Sequence, residues 1–482
     1  MKKFIVFNLL FTILFLSGSK AQSIYSSNAD SLILASRTYI PDQSLVKKYN
    51  PSSPLWLPIV EAIGLNLTLG SFNYLTGSEF ARIGPATIKH NFERGWSTDA
   101  DGFLTNMFAH PFHGSIYYNL ARSNGYNYWT SLAVGAIGSW QWEFFMENEP
   151  PAWNDWIMTS YGGSMIGEIF YRFSNLILDE SATGGERVWR EIGAGIFNPG
   201  RLFTRLVTGR TSRITNEKLY EKRILLGEIS LGGNNVADGT KFKNGSKSMM
   251  LAMDVTYGTI FYEKKIKPFD FFRFNLALNL FNIKIQDGME KQPMFSVFRI
   301  YNIFYGKTKR LSDNSRLLWG IFGHYDFLNN NVYNVGGASV GLGIGYKTPP
   351  KKSVQYVGIL NVAALLMGGA NSDFAPEYKV EFLDSARTYN MGPGGHIRME
   401  NIIRFSFGSL YLGYSFWWIH TWDGAPGDEL IGMFRPQLRI RIYENWYLGF
   451  EYLIYHRRGL YDNYENKNMQ NNEQRLFVGY GF

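Results

Sequence analysis

From Lys222 to Phe482 apolar side chains recur at every second position, the period of a β-strand with one face in an apolar medium. Ile397, Met399, Ile403, Phe405 and Phe407 alternate with Arg398, Glu400, Arg404 and Ser406, and Leu438, Ile440 and Ile442 alternate with Gln437, Arg439 and Arg441. Leu410, Leu412, Tyr414, Phe416 and Trp418 do the same against Tyr411, Gly413 and Ser415. About twelve strands are expected, centred on 222–232, 247–262, 268–285, 293–306, 315–327, 336–347, 353–368, 394–407, 409–420, 430–443, 446–456 and 473–482. Strands with one face in lipid must close into a barrel, because an open edge would leave backbone groups unpaired there.

The connections give a second test. Long ones at 233–246, 286–292, 328–335, 369–393, 421–429 and 457–472 alternate with short ones at 263–267, 307–314, 348–352, Gly408 and 444–445. That is the sense expected of an outer-membrane barrel with external loops and periplasmic turns. Composition agrees: aromatic content is 17%, charge only 18%, and mean hydropathy −0.17, as when each strand hides half its side chains in a polar lumen.

Lys2 and Lys3, the apolar run Phe4 to Leu16 and Ser19-Lys20-Ala21 read as a signal peptide over residues 1–21, leaving Gln22 first. Residues 22–53 read as a flexible lead. Without cysteine the chain has neither a thiol-linked lipid anchor nor a disulfide framework. At the other end Leu476, Val478, Tyr480 and Phe482 share one face opposite Arg475, Gly479 and Gly481. This resembles the C-terminal strand of bacterial outer-membrane proteins and implies the barrel-assembly machinery and outer-membrane lipids as partners.

Residues 54–215 read instead as helices. Leu55 to Leu75 is apolar apart from Glu61, Asn66 and Asn73, which predicts a buried helix with one polar stripe. Pro111 suits a first helical turn running towards Ser123, a second helix covers about Trp129 to Glu147, and a third opens at Asn154-Asp155 as N-cap and continues to about Leu178. In it Thr159, Gly163 and Gly167 recur every four residues and form a groove for another helix. Glu186 to Gly209, broken at Asn198-Pro199-Gly200, carries Arg187, Arg190, Arg201 and Arg205 and reads as a piece resting on anionic headgroups or as a plain linker.

The candidate chemistry lies among His110, His113, Glu143, Glu147, Asn154, Asp155, Glu168 and Arg172. Two imidazoles with carboxylates fit zinc or a general base, but H-E-x-x-H is absent and a buried Glu168–Arg172 pair accounts for part of the set structurally. Ser115 and Ser164 lie outside any G-x-S-x-G. No cofactor is called for, and the dispersed basic residues point to no nucleic acid.

Charge is partitioned. Asp101 to Glu180 holds eight acids against Arg122 and Arg172, whereas 222–482 holds 30 basic and 22 acidic groups. Lys264, Lys265, Lys267, Lys307, Lys309, Arg310, Lys347, Lys351 and Lys352 fall in supposed turns, and Arg273, Arg398, Arg404, Arg439 and Arg441 are candidates for the lumen. The expectation is that acidic helices dock into or beneath a basic barrel as plug or cap.

The block H-P-x-H-G, W-E, N-D and G-E-x-x-Y-R resembles a family of Gram-negative envelope proteins known only as a domain of unknown function. The resemblance covers about 95–210 and rests on His110, Pro111, His113, Gly114, Trp142, Glu143, Asn154, Asp155, Gly167, Glu168, Tyr171 and Arg172. It implies an outer-membrane setting and supplies no activity. The fold expected is therefore an α+β membrane protein: a helical domain at 54–215, periplasmic or inside the barrel, and an antiparallel transmembrane β-barrel at 222–482. The role expected is non-enzymatic, a gated channel or an envelope-assembly scaffold with a periplasmic partner. The rival is a lipid-modifying hydrolase using His110 or His113 with a carboxylate.

Overall fold

The computed structural model describes residues 53–99, 101–216, 225–262, 265–285, 291–330, 333–349, 354–374 and 388–482, so the expected signal peptide and most of the lead lie outside the described residues. The chain divides into two compact units, one formed by the helices up to Asp99 and from Ala109 onward, the other by Ala100–Phe108 together with the strands.

In the helical unit α1 spans Trp56–Leu75, α2 Pro85–Arg94, α3 His110–Ser123 and α4 Tyr128–Phe145. Helix α5 runs in three pieces, Trp153–Ile157, a π turn Met158–Gly162, and Gly163–Ile177; α6 is Gly184–Phe197 and α7 Pro199–Val207. Pro111 sits in the first turn of α3, and Asn127 caps α4 by accepting from Thr130 N at 3.1 Å. Gly163 and Gly167 form the expected groove: a Cβ on Gly163 would lie 2.6 Å from the Gly114 backbone, and one on Gly167 would lie 2.6 Å from the Tyr118 ring. None of the described helices is long and apolar enough to cross a membrane by hydropathy.

Three local expectations are corrected. In α1 the polar stripe, not the apolar one, is the buried face: Glu61 and Asn66 are inside, while Trp56, Leu67 and Phe72 are exposed. Asn154 and Asp155 do not cap α5, which begins at Trp153 with no side-chain cap; Asn154 instead accepts from Asp99 N at 3.0 Å and donates to Asp155 Oδ1 at 2.7 Å. Arg187, Arg201 and Arg205 do not reach headgroups. Arg187 and Arg205 pair with buried Glu180 and Glu191, and Arg201 bonds Ser174 and Asn175.

Twelve antiparallel strands form the barrel: β1 Leu225–Asp238, β2 Ser246–Tyr257, β3 Phe272–Lys284, β4 Phe295–Arg310, β5 Arg316–Asn329 and β6 Asn334–Lys347. They continue with β7 Gln355–Asn371, β8 Tyr389–Phe405, β9 Gly408–His420, β10 Gly427–Tyr443, β11 Trp446–Tyr461 and β12 Lys467–Gly481. Each strand pairs with its sequence neighbours, and β1 pairs with β12 from Glu228↔Gly481 to Asp238↔Asn471, so the sheet closes. The alternation divides as expected. Leu342 (70% exposed), Ile344, Leu360, Val362, Leu438, Ile440, Leu476 and Val478 point out, while Arg398, Glu400, Gln437 and Arg475 are buried inside. Exposed Trp418 and Trp422 lie at the loop end, and Trp446 and Tyr480 at the turn end, the positions of interfacial aromatic girdles.

The strands run further into the loops than the alternation of hydropathy implied; 457–472, expected as loop, is mostly the paired ends of β11 and β12, from Tyr461 back and from Lys467 on. Hydrogen bonding outlasts the apolar belt there. The turn at the end of β8 is Ser406-Phe407, and Gly408 already pairs with Phe405 and Ile440.

The connection between β2 and β3 is not a simple turn. Its described residues, 258–262 and 265–271, fold into the lumen, where Ile260, Phe261, Ile266 and Phe271 pack with inward Tyr301, Ile303, Leu318, Phe322, Val357 and Ile359. Lys265–Ile266 adds a two-residue pairing to Lys307 and Gly306 of β4. Phe269, buried with φ +58°, is a bulky residue in left-handed backbone, held there by its N–H bond to Ile303 O.

The segment 101–108 belongs to the barrel unit and lies against its outer wall. Phe108 packs on Phe295 and Phe298, and Phe103 packs on Phe327 and Tyr389. Met107 fits over Gly336 and Gly369, where side chains would collide with it.

Candidate functional site

The predicted polar residues of the helices form two clusters rather than one. In the first, α3 presents His110 and His113, α4 Glu143 and Glu147, and α5 Asn154 and Asp155. His110 Nε2 lies 3.5 Å from Asp155 Oδ1, and His113 packs between the rings of Tyr117 and Trp142. Glu143 accepts from Ala152 N at 3.0 Å, and Glu147 accepts from Trp142 Nε1 at 2.5 Å. Burial, with Asp99 and Glu143 nearby, pushes the Asp155 carboxyl up; burial, with Glu147 nearby, does the same to Glu143. Asp155 hydrogen-bonds to Asp99, a residue the sequence did not single out. His113 is held neutral, its pKa lowered to about 3 by burial and by His110. Carboxyls pushed towards their neutral form beside the neutral His113 make a buried packing cluster of low charge.

The second cluster centres on Glu168. Burial pushes its carboxyl up, but Arg122 and Arg172, each 2.8 Å away, outweigh that and hold it at about 2. Tyr118 donates to the same carboxylate at 2.5 Å. Sequence spacing found Arg172 four residues on; Arg122 and Tyr118 come from another helix and had no local signal. Ser115 Oγ donates to Phe112 O at 2.6 Å, and Ser164 Oγ donates to Tyr161 O at 2.7 Å. Both hydroxyls are thus engaged with backbone of their own helices, which does not favour a Ser–His nucleophile.

The barrel lumen is layered. At the loop end an apolar cluster includes Val236, Met250, Leu328, Tyr333, Leu365, Trp417 and Leu453, and at the turn end stands the cluster built on the infolded connection. Between them runs a belt of ion pairs: Arg299–Asp326 at 2.6 Å, Arg398–Glu400 at 2.9 Å, Arg435–Glu451 at 2.7 Å and Arg475–Glu473 at 2.7 Å. Two buried histidines join it, His396 Nδ1 with Ser339 Oγ at 2.8 Å and the His324 ring against His396. A cavity of about 30 Å³, room for two or so waters, lies beside Arg299, Arg435 and Arg475.

Of the five arginines expected in the lumen, Arg273 and Arg398 both bond Glu400, Arg439 bonds Glu228 at 2.6 Å, and Arg404 bonds Gln355. Arg441 donates to Ser406 O at the exposed turn rim. Their carboxylates come from the barrel's own strands. Glu400 is two residues from Arg398 on the same strand, but the acids that meet Arg273 and Arg439 lie on other strands, and period-2 reading tells which wall a side chain faces but not what stands across it.

Residues 95–200 match the model of a family described as a domain of unknown function, DUF3943. No curated protein matches the chain. Among solved structures it is similar to the outer membrane channel DcaP of Acinetobacter baumannii, at 6% identity over 54% of this chain and 97% of that one with a TM-score of 0.24. It is also similar to the COG4313 outer membrane channel from Pseudomonas putida F1, at 11% identity over 54% and 96% with a TM-score of 0.29. Likenesses this distant bear on neither solute nor activity.

Proposed function

We propose that the barrel is a regulated conduit across the outer membrane, shut at its turn-side mouth by the 258–271 connection. The observation that carries this reading is the layering: a fully charged belt lies between two apolar seals, one of them made by a single infolded connection. Buried ion pairs are no more stabilising than apolar packing of the same volume, so a barrel serving only as a wall gains nothing from them. A path for polar solutes does. The left-handed backbone of Phe269 supports a segment poised between two arrangements, since strain of that kind gathers in switch regions. The helices are not needed to neutralise the belt, because its arginines already have barrel carboxylates.

The test is conductance in planar bilayers of the wild type and of a variant carrying Phe261→Gly and Ile266→Gly. The wild type should be nearly silent and the variant should show stable steps. A variant that still shows the folded barrel's heat-dependent gel shift and stays silent would remove the conduit and leave a scaffold.

A further inference from the structure

Four helices turn polar residues inward and apolar residues outward. Helix α1 buries Glu61 and Asn66 and exposes Trp56, Val60, Leu67 and Phe72; α4 buries Ser131, Ser139 and Glu143 together with Val134, Trp142 and Phe144, and exposes Trp129, Ile137 and Trp140. Helix α6 buries Arg187 and Glu191 and exposes Val188, Trp189 (56%) and Ile192, and α7 buries Arg201, Thr204 and Arg205 and exposes Leu206 and Val207. A helix packed in a water-soluble domain sorts its residues the other way, and Arg and Glu are almost never fully buried without pairing. Here they are paired with each other: Arg205 with Glu180 and Glu191, Arg187 with the same two acids. The unit therefore carries its ion pairs at the centre and its aromatic and aliphatic side chains at the surface.

We propose that the outward faces of α1, α4, α6 and α7 contact lipid acyl chains, so that the helical unit is seated in the membrane and not in an aqueous compartment. The exposed residues come from four helices of the unit, and they match the barrel's lipid-facing positions in kind and in exposure, Val362 (57%) being an example. Exposed charge includes Lys89 and Glu93 on α2 and Glu186 in the first turn of α6, with Arg190 half-buried beside it. Those are the places where the unit meets water or headgroups. Hydropathy averages overlook the arrangement because each helix also contributes buried polar residues, as each barrel strand does. The inference is independent of whether the barrel conducts.

The chain has no cysteine, so single spin labels can be placed cleanly. Leu67→Cys, Ile137→Cys, Trp189→Cys and Leu206→Cys would be labelled in the full-length protein in phosphatidylcholine vesicles, with Leu342→Cys as lipid-facing reference and Glu465→Cys in a loop as aqueous reference. Collision with oxygen and with a water-soluble nickel chelate is then measured by EPR. The proposal expects the four helix sites to follow Leu342→Cys, with oxygen access high and chelate access at least several-fold lower than at Glu465→Cys. Chelate access equal to that of Glu465→Cys overturns it. Low access to both reagents also overturns it, since that places protein over these faces. An unlabelled check uses vesicles of brominated phosphatidylcholine: Trp189→Phe should remove part of the quenched tryptophan emission, and an unchanged quenched fraction counts against the proposal.

Discussion

Arg316 and Lys347 stand directly opposite one another on β5 and β6, both pointing into the lumen, and Arg310 stands opposite Arg316 on its other side. The Lys347 ammonium donates to Tyr262 of the infolded connection at 2.9 Å, and the Arg316 guanidinium lies 5.4 Å from the centre of the same ring. Neither cation has a carboxylate partner among the described residues. Like charges opposite each other on adjacent strands are destabilising. Lys347→Met should therefore raise barrel stability in low salt by about 0.5–1 kcal/mol, and the gain should shrink at high salt as the repulsion is screened. Urea unfolding in detergent, followed by the gel shift at the two salt concentrations, reads this directly.

Glu444 occupies left-handed backbone at φ +38° in the two-residue turn between β10 and β11. A side chain there costs about 1–2 kcal/mol, of which glycine's freedom in the unfolded chain takes back a part. Glu444→Gly should stabilise the barrel by about 0.5–1 kcal/mol, seen as a higher temperature for loss of the folded gel band.

Gly114 lies tightly against the π turn of α5. A Cβ there would lie 1.7 Å from the Thr159 carbonyl oxygen, a backbone atom that cannot step aside without moving the π turn of α5. Gly114→Ala should cost about 3 kcal/mol or more through overpacking. The helical far-UV signal should melt earlier while the barrel's gel shift is unchanged.

Glu168 sets the acid limb of helical stability. Its folded pKa near 2 lies below the ordinary 4.5, so its contribution is complete above the ordinary value and is lost as pH falls towards 2, about 3 kcal/mol in all. Glu143 and Asp155 are shifted the other way, as is Glu61, which burial raises to about 7 against its bonds from Thr204 and Asn124. These three favour the fold while protonated and oppose it as pH rises through their folded values. The helical melting temperature should peak near pH 4–5, and Glu61→Gln should flatten its decline between 4.5 and 7. Glu168→Gln should cost about 3–5 kcal/mol at neutral pH, because it leaves Arg122 and Arg172 buried without their counter-charge.

The barrel was legible because its signal is local. Whether Ile397 or Arg398 meets lipid is decided by the pleat, which alternates along one strand and needs no knowledge of its neighbours. The start of α3 was legible for the same reason, through Pro111. The N-cap expected at Asn154-Asp155 failed because a cap oxygen and a buried cluster compete for the same side chains, and the cluster, with Asp99 and His110 drawn from far along the chain, won.

By itself the sequence determined that alternate residues from Lys222 onward face opposite media, that this needs a closed sheet, and that helices precede it, since period and turn chemistry are properties of neighbours along the chain. Only the tertiary structure decided that Phe261 and Ile266 turn into the lumen, that Arg122 joins Arg172 at Glu168, and that α1, α4, α6 and α7 wear their apolar faces outward. An amphipathic helix reads the same whichever side is buried, and which side that is depends on what other helices bring to meet it.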